Sequence, residues 1–382
     1  MIAAKQFEIF CGLGGVGKTT LAAARALHLA LLGRKILLIT IDPSRRLKDL
    51  LQIKEENAGK IESVPLSNFS ENAEGFLDAI LLSSSVTLAR VIEPSLAEKV
   101  SQNTIIKTLT GTYSGLTEVL APMEMFYFYN KNQYQTIILD TPPGRHFIDF
   151  LDSYQRIRQF FDQRVINGLR QIKKLKFNPV DLSMKKIIGV DPWIFVHKIL
   201  NEGIRKILEY LEKITDRSFL NEFINSLELI YGARGAFLNL LEKWHLLQDK
   251  NFANWFLVTA VEQDRILELL ELHKKAKGIV HSDSYLILNK CLSSYWDMKD
   301  GNNSKDVSNS NDERNNNLGK QAKNSKLNKI RNSLYDKELN LKKIALSTFS
   351  EDRILEFLEI LEEPSFAQLL LISEGWNTFN QK

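Results

Sequence analysis

The chain has 382 residues, 44% hydrophobic and 25% charged, and its 50 basic and 46 acidic side chains leave a net charge of +4. That is the make-up of a soluble globular protein with one large elaborated domain or two domains, and the basic excess is too small to argue for nucleic acid as a partner. No apolar run reaches the roughly 18–20 residues of a transmembrane segment, no signal peptide opens the chain, and Cys11 and Cys291 are too far apart for a CxxC site or a disulfide framework, so the expectation is a cytoplasmic protein with two buried thiols.

The first apolar run, Phe7–Cys11, reads as a strand. A glycine-rich turn follows, then a helix over Thr19–Leu32 closed by Gly33. Ile36–Ile41 is continuously apolar, as a strand buried on both faces requires, which completes a βαβ unit. The next stretch, to about Asn130, reads as mostly helical. A second fully apolar strand is expected at Thr136–Leu139. From Phe147 to Lys250 the periodicity is helical only, with breaks at Pro179 and Pro192. Strands are expected at Trp255–Val258 and Tyr285–Leu288, with a helix near Asp264–Lys274 between them. Residues 297–334 are dominated by Asn, Ser, Lys and Asp and read as a disordered polar insertion. Lys343–Leu346 then reads as a strand and Glu351–Leu361 as a helix. The expected fold is α/β, a doubly wound, mainly parallel sheet of the P-loop NTPase class with an inserted helical subdomain. Its parts are the core over 1–150, the helical subdomain over 151–250, more core over 251–296, the insertion over 297–334 and the last part of the core over 335–382.

Gly12-Leu13-Gly14-Gly15-Val16-Gly17-Lys18-Thr19 fits the pattern G-x-x-x-x-G-K-[ST] and sits between an expected strand and an expected helix. Glycines let backbone amides close round phosphate oxygens, and the helix N-terminus adds partial positive charge. Gly12, Gly14, Gly15, Val16, Gly17, Lys18, Thr19 and Thr20 are therefore the candidate ATP contacts. Lys18 would reach the β- and γ-phosphates and the Thr19 hydroxyl would ligate Mg²⁺. Asp42 and Asp140 each follow an apolar strand and so fall at the same sheet edge as the loop. One carboxylate there could hold magnesium and the other orient the attacking water, although either could also serve as a turn or helix-cap residue.

Three segments, Gly12–Thr20, Asp42-Pro43-Ser44-Arg45-Arg46-Leu47 and Asp140-Thr141-Pro142-Pro143-Gly144-Arg145-His146, resemble the motifs of the ArsA-type ATPases in order and separation. This family includes the arsenite-pump ATPase and the Get-pathway ATPase for tail-anchored proteins. The resemblance implies that Asp42 positions the hydrolytic water, that Asp140 is the Walker B aspartate and a magnesium ligand, and that Asp140–His146 senses the γ-phosphate. It also implies that Asn289, after a late strand, contacts adenine. Read alone, Asn289 is equally a turn residue. The family's loop carries a second lysine after its first glycine, which crosses to the partner's nucleotide. Leu13 stands there instead, as in a bacterial branch of the family, and Arg45 or Arg46 is the candidate to complete the charge.

The functional expectation is a Mg²⁺-dependent ATPase whose ATP cycle closes and opens a homodimer on an unidentified client: a protein, a membrane component or an anion. The protein would be cytoplasmic and could sit peripherally at a membrane. The alternatives are a non-catalytic ATP-gated scaffold and a MinD/ParA-like positioning ATPase. The lysines from Lys173 to Lys186 read as a solvated face, and Trp193–Val196 as core. Neither arsenite thiol chemistry nor a Met-rich client groove is supported by two cysteines and five methionines.

Overall fold

The computed structural model describes residues 2–41, 48, 51–71, 73–92, 94–110, 116–142, 144–162, 217–292, 317–359 and 365–378. Eight strands form one sheet: β1 Phe7–Gly12, β2 Lys35–Thr40, β3 Glu62–Val64, β4 Phe76–Leu81, β5 Thr136–Asp140, β6 Ala253–Ala260, β7 Tyr285–Cys291 and β8 Ile354–Leu358. Their order is β3-β4-β2-β5-β1-β6-β7-β8. Only the β3–β4 pairing is antiparallel. The other pairings are parallel, as a sheet with both faces covered allows.

Alternation along each strand divides the core into two layers. From β1, Phe7, Ile9 and Cys11 point to one side and Phe10 to the other. The first side is covered by α5 (Leu116–Lys131) and α6 (Arg145–Phe160), with Phe126, Phe147, Phe150 and Trp255 packed together. Helices α2 (Ser84–Val91), α3 (Pro94–Gln102) and α4 (Thr104–Leu109) precede these two. Helices α7 (Arg217–Gly232), α8 (Arg234–Leu241), α9 (Trp244–Gln248) and α10 (Gln263–Lys275) follow. The second side is covered by α1 (Lys18–Leu31) and the C-terminal helix, α12 (Phe366–Thr378). Buried Ala22, Ala23, Ala24, Ala26 and Ala30 leave no bulk between α1 and its surroundings, so it lies close to the sheet.

Beneath α1 an ion pair is fully enclosed. Arg25 grips Glu8 bidentately, with Nε to Oε2 at 2.9 Å and Nη2 to Oε1 at 3.0 Å. Nη2 also donates to the Ile2 carbonyl, Asn254 Nδ2 donates to Glu8 Oε1, and the Trp376 ring stacks on the guanidinium. Charges this deep in a sheet persist only when paired and hydrogen-bonded, and here Arg25 Nη1 alone of the guanidinium nitrogens has no hydrogen-bond partner. The pair joins β1, β6, α1, α12 and the N-terminal residues.

Several expectations change. The βαβ unit of β1, α1 and β2 stands, with β5 lying between its two strands; the changes lie elsewhere. The stretch read as mostly helical contains β3 and β4. Asp78 had masked β4 as an apolar run, and it is accommodated by Ser63 Oγ at 2.6 Å and the Tyr134 hydroxyl at 2.8 Å. At the C-terminal end the two elements exchange type. Lys343–Leu346 ends a 30-residue helix, α11 (Asn317–Leu346), and the expected helix at Glu351–Leu361 contains strand β8. Leu341 and Ala345 are buried one turn apart, whereas Leu355 and Phe357 are buried around exposed Glu356: periods of 3.6 and 2 respectively. The expected disordered insertion is helical from residue 317, and 297–316 lies outside the described residues.

Candidate nucleotide site

The loop after β1 alternates in burial. Leu13 and Val16 are 3% and 2% exposed and sit in the core under α1, while Gly14 and Gly15 face outward. A Cβ at Gly12 would lie 2.2 Å from the Val258 carbonyl oxygen, so no side chain fits there. Gly17, with φ +81°, caps α1, and a Cβ there would lie 2.3 Å from Asn289 Nδ2. Gly15 also has φ of +76°, with nothing within 4 Å of an added Cβ. The result is a backbone cradle anchored by two apolar side chains, with Gly14 and Gly15 open to a ligand.

Lys18, the first residue of α1, is 7% exposed. Its Nζ donates to Asp140 Oδ1 and to the Thr141 carbonyl. Asp140 Oδ2 accepts the Thr40 hydroxyl at 3.0 Å. Parallel pairing of β5 with both β1 and β2 delivers the loop, Thr40 and Asp140 to one edge. Thr141 turns back on β1 through its amide and hydroxyl, both bonded to the Phe10 carbonyl, and the Gly144 amide bonds the Gly12 carbonyl. His146 Nδ1 lies 3.3 Å from Glu118 Oε1, which ties the segment's end to α5. Thr40 is a member that motif matching passed over; the only sequence signal was a hydroxyl closing an otherwise aliphatic strand.

Asn289 comes to the same loop from β7. Its Nδ2 donates to the Val16 carbonyl at 2.8 Å. A register irregularity between Leu288 and Cys291, with Lys290 at φ +64°, turns the strand at this point. Asn289 therefore braces the loop from below. Asn289→Ala leaves the Val16 carbonyl short of a donor, which should cost about 1–2 kcal/mol in thermal unfolding, and the loosened loop should bind a fluorescent ATP analogue about 5–10-fold more weakly. Thr19 and Thr20 are half-buried at the first turn of α1. Asp42, Arg45 and Arg46 lie outside the described residues, as do the Lys173–Lys186 run and Trp193–Val196.

The donor set suits magnesium. Among the described residues no cluster of three His, Cys, Asp or Glu side chains could cage a metal. One hydroxyl and one carboxylate beside a phosphate cradle are what a largely hydrated Mg²⁺ needs from the protein. Cys11, just ahead of the loop, is fully buried, and burial holds its thiol far above the ordinary range, so it is neutral and unsuited to metal binding or nucleophilic attack.

Over residues 5–220, more than half of its length, the sequence matches the family of anion-transporting ATPases, ArsA ATPase. The chain belongs to the ArsA ATPase family. It is 27% identical over 264 residues to an Aquifex aeolicus (strain VF5) protein provisionally named arsenical pump-driving ATPase 1, covering 68% of this chain and 61% of that protein. Arsenical pump-driving ATPase 2 of the same organism, also named provisionally, is 25% identical over 274 residues, covering 70% and 85%. ATPase GET3 of Malassezia globosa is 30% identical over 144 residues, covering 37% and 41%. The match thus spans less than two thirds of the first and third of these relatives.

The position after the first loop glycine, where the ArsA pattern usually has lysine, is filled by a core leucine. Leu13 packs inward, so a lysine substituted there would bury its stem and charge. Leu13→Lys is expected to lower stability by about 2–4 kcal/mol in chemical denaturation and to leave ATP affinity no better.

Proposed function

We propose that this ArsA-family chain is a Mg²⁺-dependent ATP hydrolase that works as a homodimer on a client. The observation that carries the reading is the contact of Lys18 with both Asp140 and Thr141, which joins the loop lysine, the Walker B carboxylate and the γ-phosphate-sensing segment in one hydrogen-bonded cluster. In this reading Lys18 and the amides of Gly12–Thr20 bind the phosphates, Thr19 and Asp140 hold the magnesium, and Asn289 positions the loop beside the adenine. Asp42, two residues beyond Thr40, orients the attacking water. When bound, magnesium would neutralise negative charge on the phosphates.

Binding would move Lys18 from Asp140 to phosphate. The Thr141 carbonyl and Asp140 then lose their cation, and the segment to His146 responds. This is a two-state element of the kind that couples a γ-phosphate to a larger movement. Closure of a homodimer would follow, with Arg45 or Arg46 completing the charge that Leu13 cannot supply. No helix among the described residues is long and apolar enough to cross a membrane.

Phosphate release from purified protein with Mg²⁺-ATP tests the reading. Asp42→Asn should retain ATP and lose turnover. Equal, negligible release by wild type and Asp42→Asn at full ATP occupancy would instead make the chain an ATP-gated scaffold.

A further inference from the structure

Helix α5 carries a proline within it. Pro122 is buried, and the helix runs on past it to Lys131. A proline has no N–H, and the carbonyl that loses its helical donor is the one four residues earlier, on Glu118. The ring also crowds that carbonyl. The first turn of α5 is therefore joined to the rest of the helix more loosely than its later turns are to one another, and a helix bends at such a point.

The same residue meets the nucleotide machinery. An acid in the first turn of a helix ordinarily stays in water, where the helix dipole favours it. Glu118 is 9% exposed instead and turned toward α6. Its Oε1 lies 3.3 Å from His146 Nδ1, and its Oε2 has no hydrogen-bond partner among the described residues. A second carboxylate, Asp149 Oδ2, is 3.8 Å from the same ring nitrogen, but Asp149 is already bonded to Arg156. Next to Glu118, Thr117 Oγ1 lies 2.9 Å from Ser84 Oγ on α2. The stretch from Thr141 to His146 is thus held at both ends, by the Phe10 carbonyl on β1 and by Glu118 on α5.

We propose that Glu118 is a positioning residue for ATP hydrolysis. Through His146 it sets the far end of the Thr141–His146 segment, and the hinge at Pro122 lets the first turn of α5 follow that segment when Lys18 leaves Asp140 and Thr141 for phosphate. The inference rests on the reading of Asp140–His146 as the γ-phosphate sensor. A rigid first turn would hold His146 in one place and oppose the movement, and a turn without contact to His146 would not follow it. A buried carboxylate and a missing helical bond on one residue meet both needs. Because Glu118 acts through His146, its effect falls on kcat and leaves KM nearly untouched.

Steady-state phosphate release by the full chain is the first test. Glu118→Ala should lower kcat about tenfold and change KM by less than about twofold. Glu118→Gln, which can still accept from His146 Nδ1, should recover most of the rate. Pro122→Ala restores the amide and stiffens the turn, so kcat should fall about fivefold while the melting temperature holds or rises. Glu118→Ala placed in His146→Ala should add no further loss, since both remove one contact. Hydrogen exchange with Mg²⁺ and either ADP or a non-hydrolysable ATP analogue separates this inference from the reading beneath it. In the wild type the analogue should alter exchange in Thr141–His146 and in Leu116–Ala121; in Glu118→Ala only the first response should remain. An α5 response that survives in Glu118→Ala, losses that add in the double variant, or an unaltered kcat in Pro122→Ala would overturn the inference. No response of Thr141–His146 in the wild type would overturn the γ-phosphate reading, and the inference with it.

Discussion

Lys18→Ala should reduce phosphate release from Mg²⁺-ATP by about 100- to 1000-fold, the range found when a preorganised donor to developing negative charge is removed. The site gives a specific reason. Lys18 is buried at the first turn of α1 and reaches the end of β5, so its ammonium is already partly stripped of water, and exchanging Asp140 for a phosphate oxygen costs little further desolvation. Lys18→Arg should not rescue turnover, because a planar fork cannot replace a point charge in a space shaped round Asp140 and the Thr141 carbonyl. Asp140→Asn separates two contributions. It keeps the Thr40 contact in outline but removes the charge that would hold magnesium. Turnover should fall by a comparable factor, and raising magnesium should restore little of it. Residual ATP binding should survive in Asp140→Asn better than in Lys18→Ala, which a titration with a fluorescent ATP analogue would measure. Full turnover by Lys18→Ala would place the chemistry outside this loop.

The largest effect on stability is expected at the opposite end of β1. Arg25→Met alone should cost about 3–5 kcal/mol in urea or thermal unfolding, because it leaves the Glu8 carboxylate charged, dry and bonded only to Asn254. Glu8→Leu alone should cost a similar amount by stranding the guanidinium against the Ile2 carbonyl and the Trp376 ring. The double variant should recover much of the loss, since two apolar side chains of like volume need no partners. If the single losses simply add in the double variant, the pair is not energetically coupled. Because the pair connects α12 to β1, the single variants should also detach the C-terminal helix, detectable as a change in Trp376 fluorescence.

Much of the nucleotide site was legible because its constraints are local. Gly12, Gly17 and Lys18 are dictated by one turn between a strand and a helix. A lysine placed just after a left-handed glycine at a helix start has few conformations left. Buried parallel strands such as Ile36–Thr40 and Thr136–Leu139 announce themselves as unbroken apolar runs, so the approach of Asp140 to the loop edge followed from strand direction alone. The fold class and the family resemblance rest on the same short-range signals.

What escaped sequence reading depends on partners remote in the chain. β4 was hidden because Asp78 interrupts it, and only Ser63 and Tyr134 make that carboxylate acceptable within the sheet. The helix and strand at the C-terminal end exchanged places because a four-residue apolar run has no period of its own until it meets a surface. In the sequence Leu13 is only the absence of a lysine; that it also anchors the loop in the core depends on which way a glycine-flanked backbone turns. Asn289 had no reason in sequence to face Val16; the bulge at Lys290 puts it there. The sequence by itself thus determined which phosphate-binding chemistry the chain carries and on what kind of sheet. The tertiary structure decided how the loop is braced and which charges are buried together, because those depend on side chains up to 273 residues apart meeting in one place.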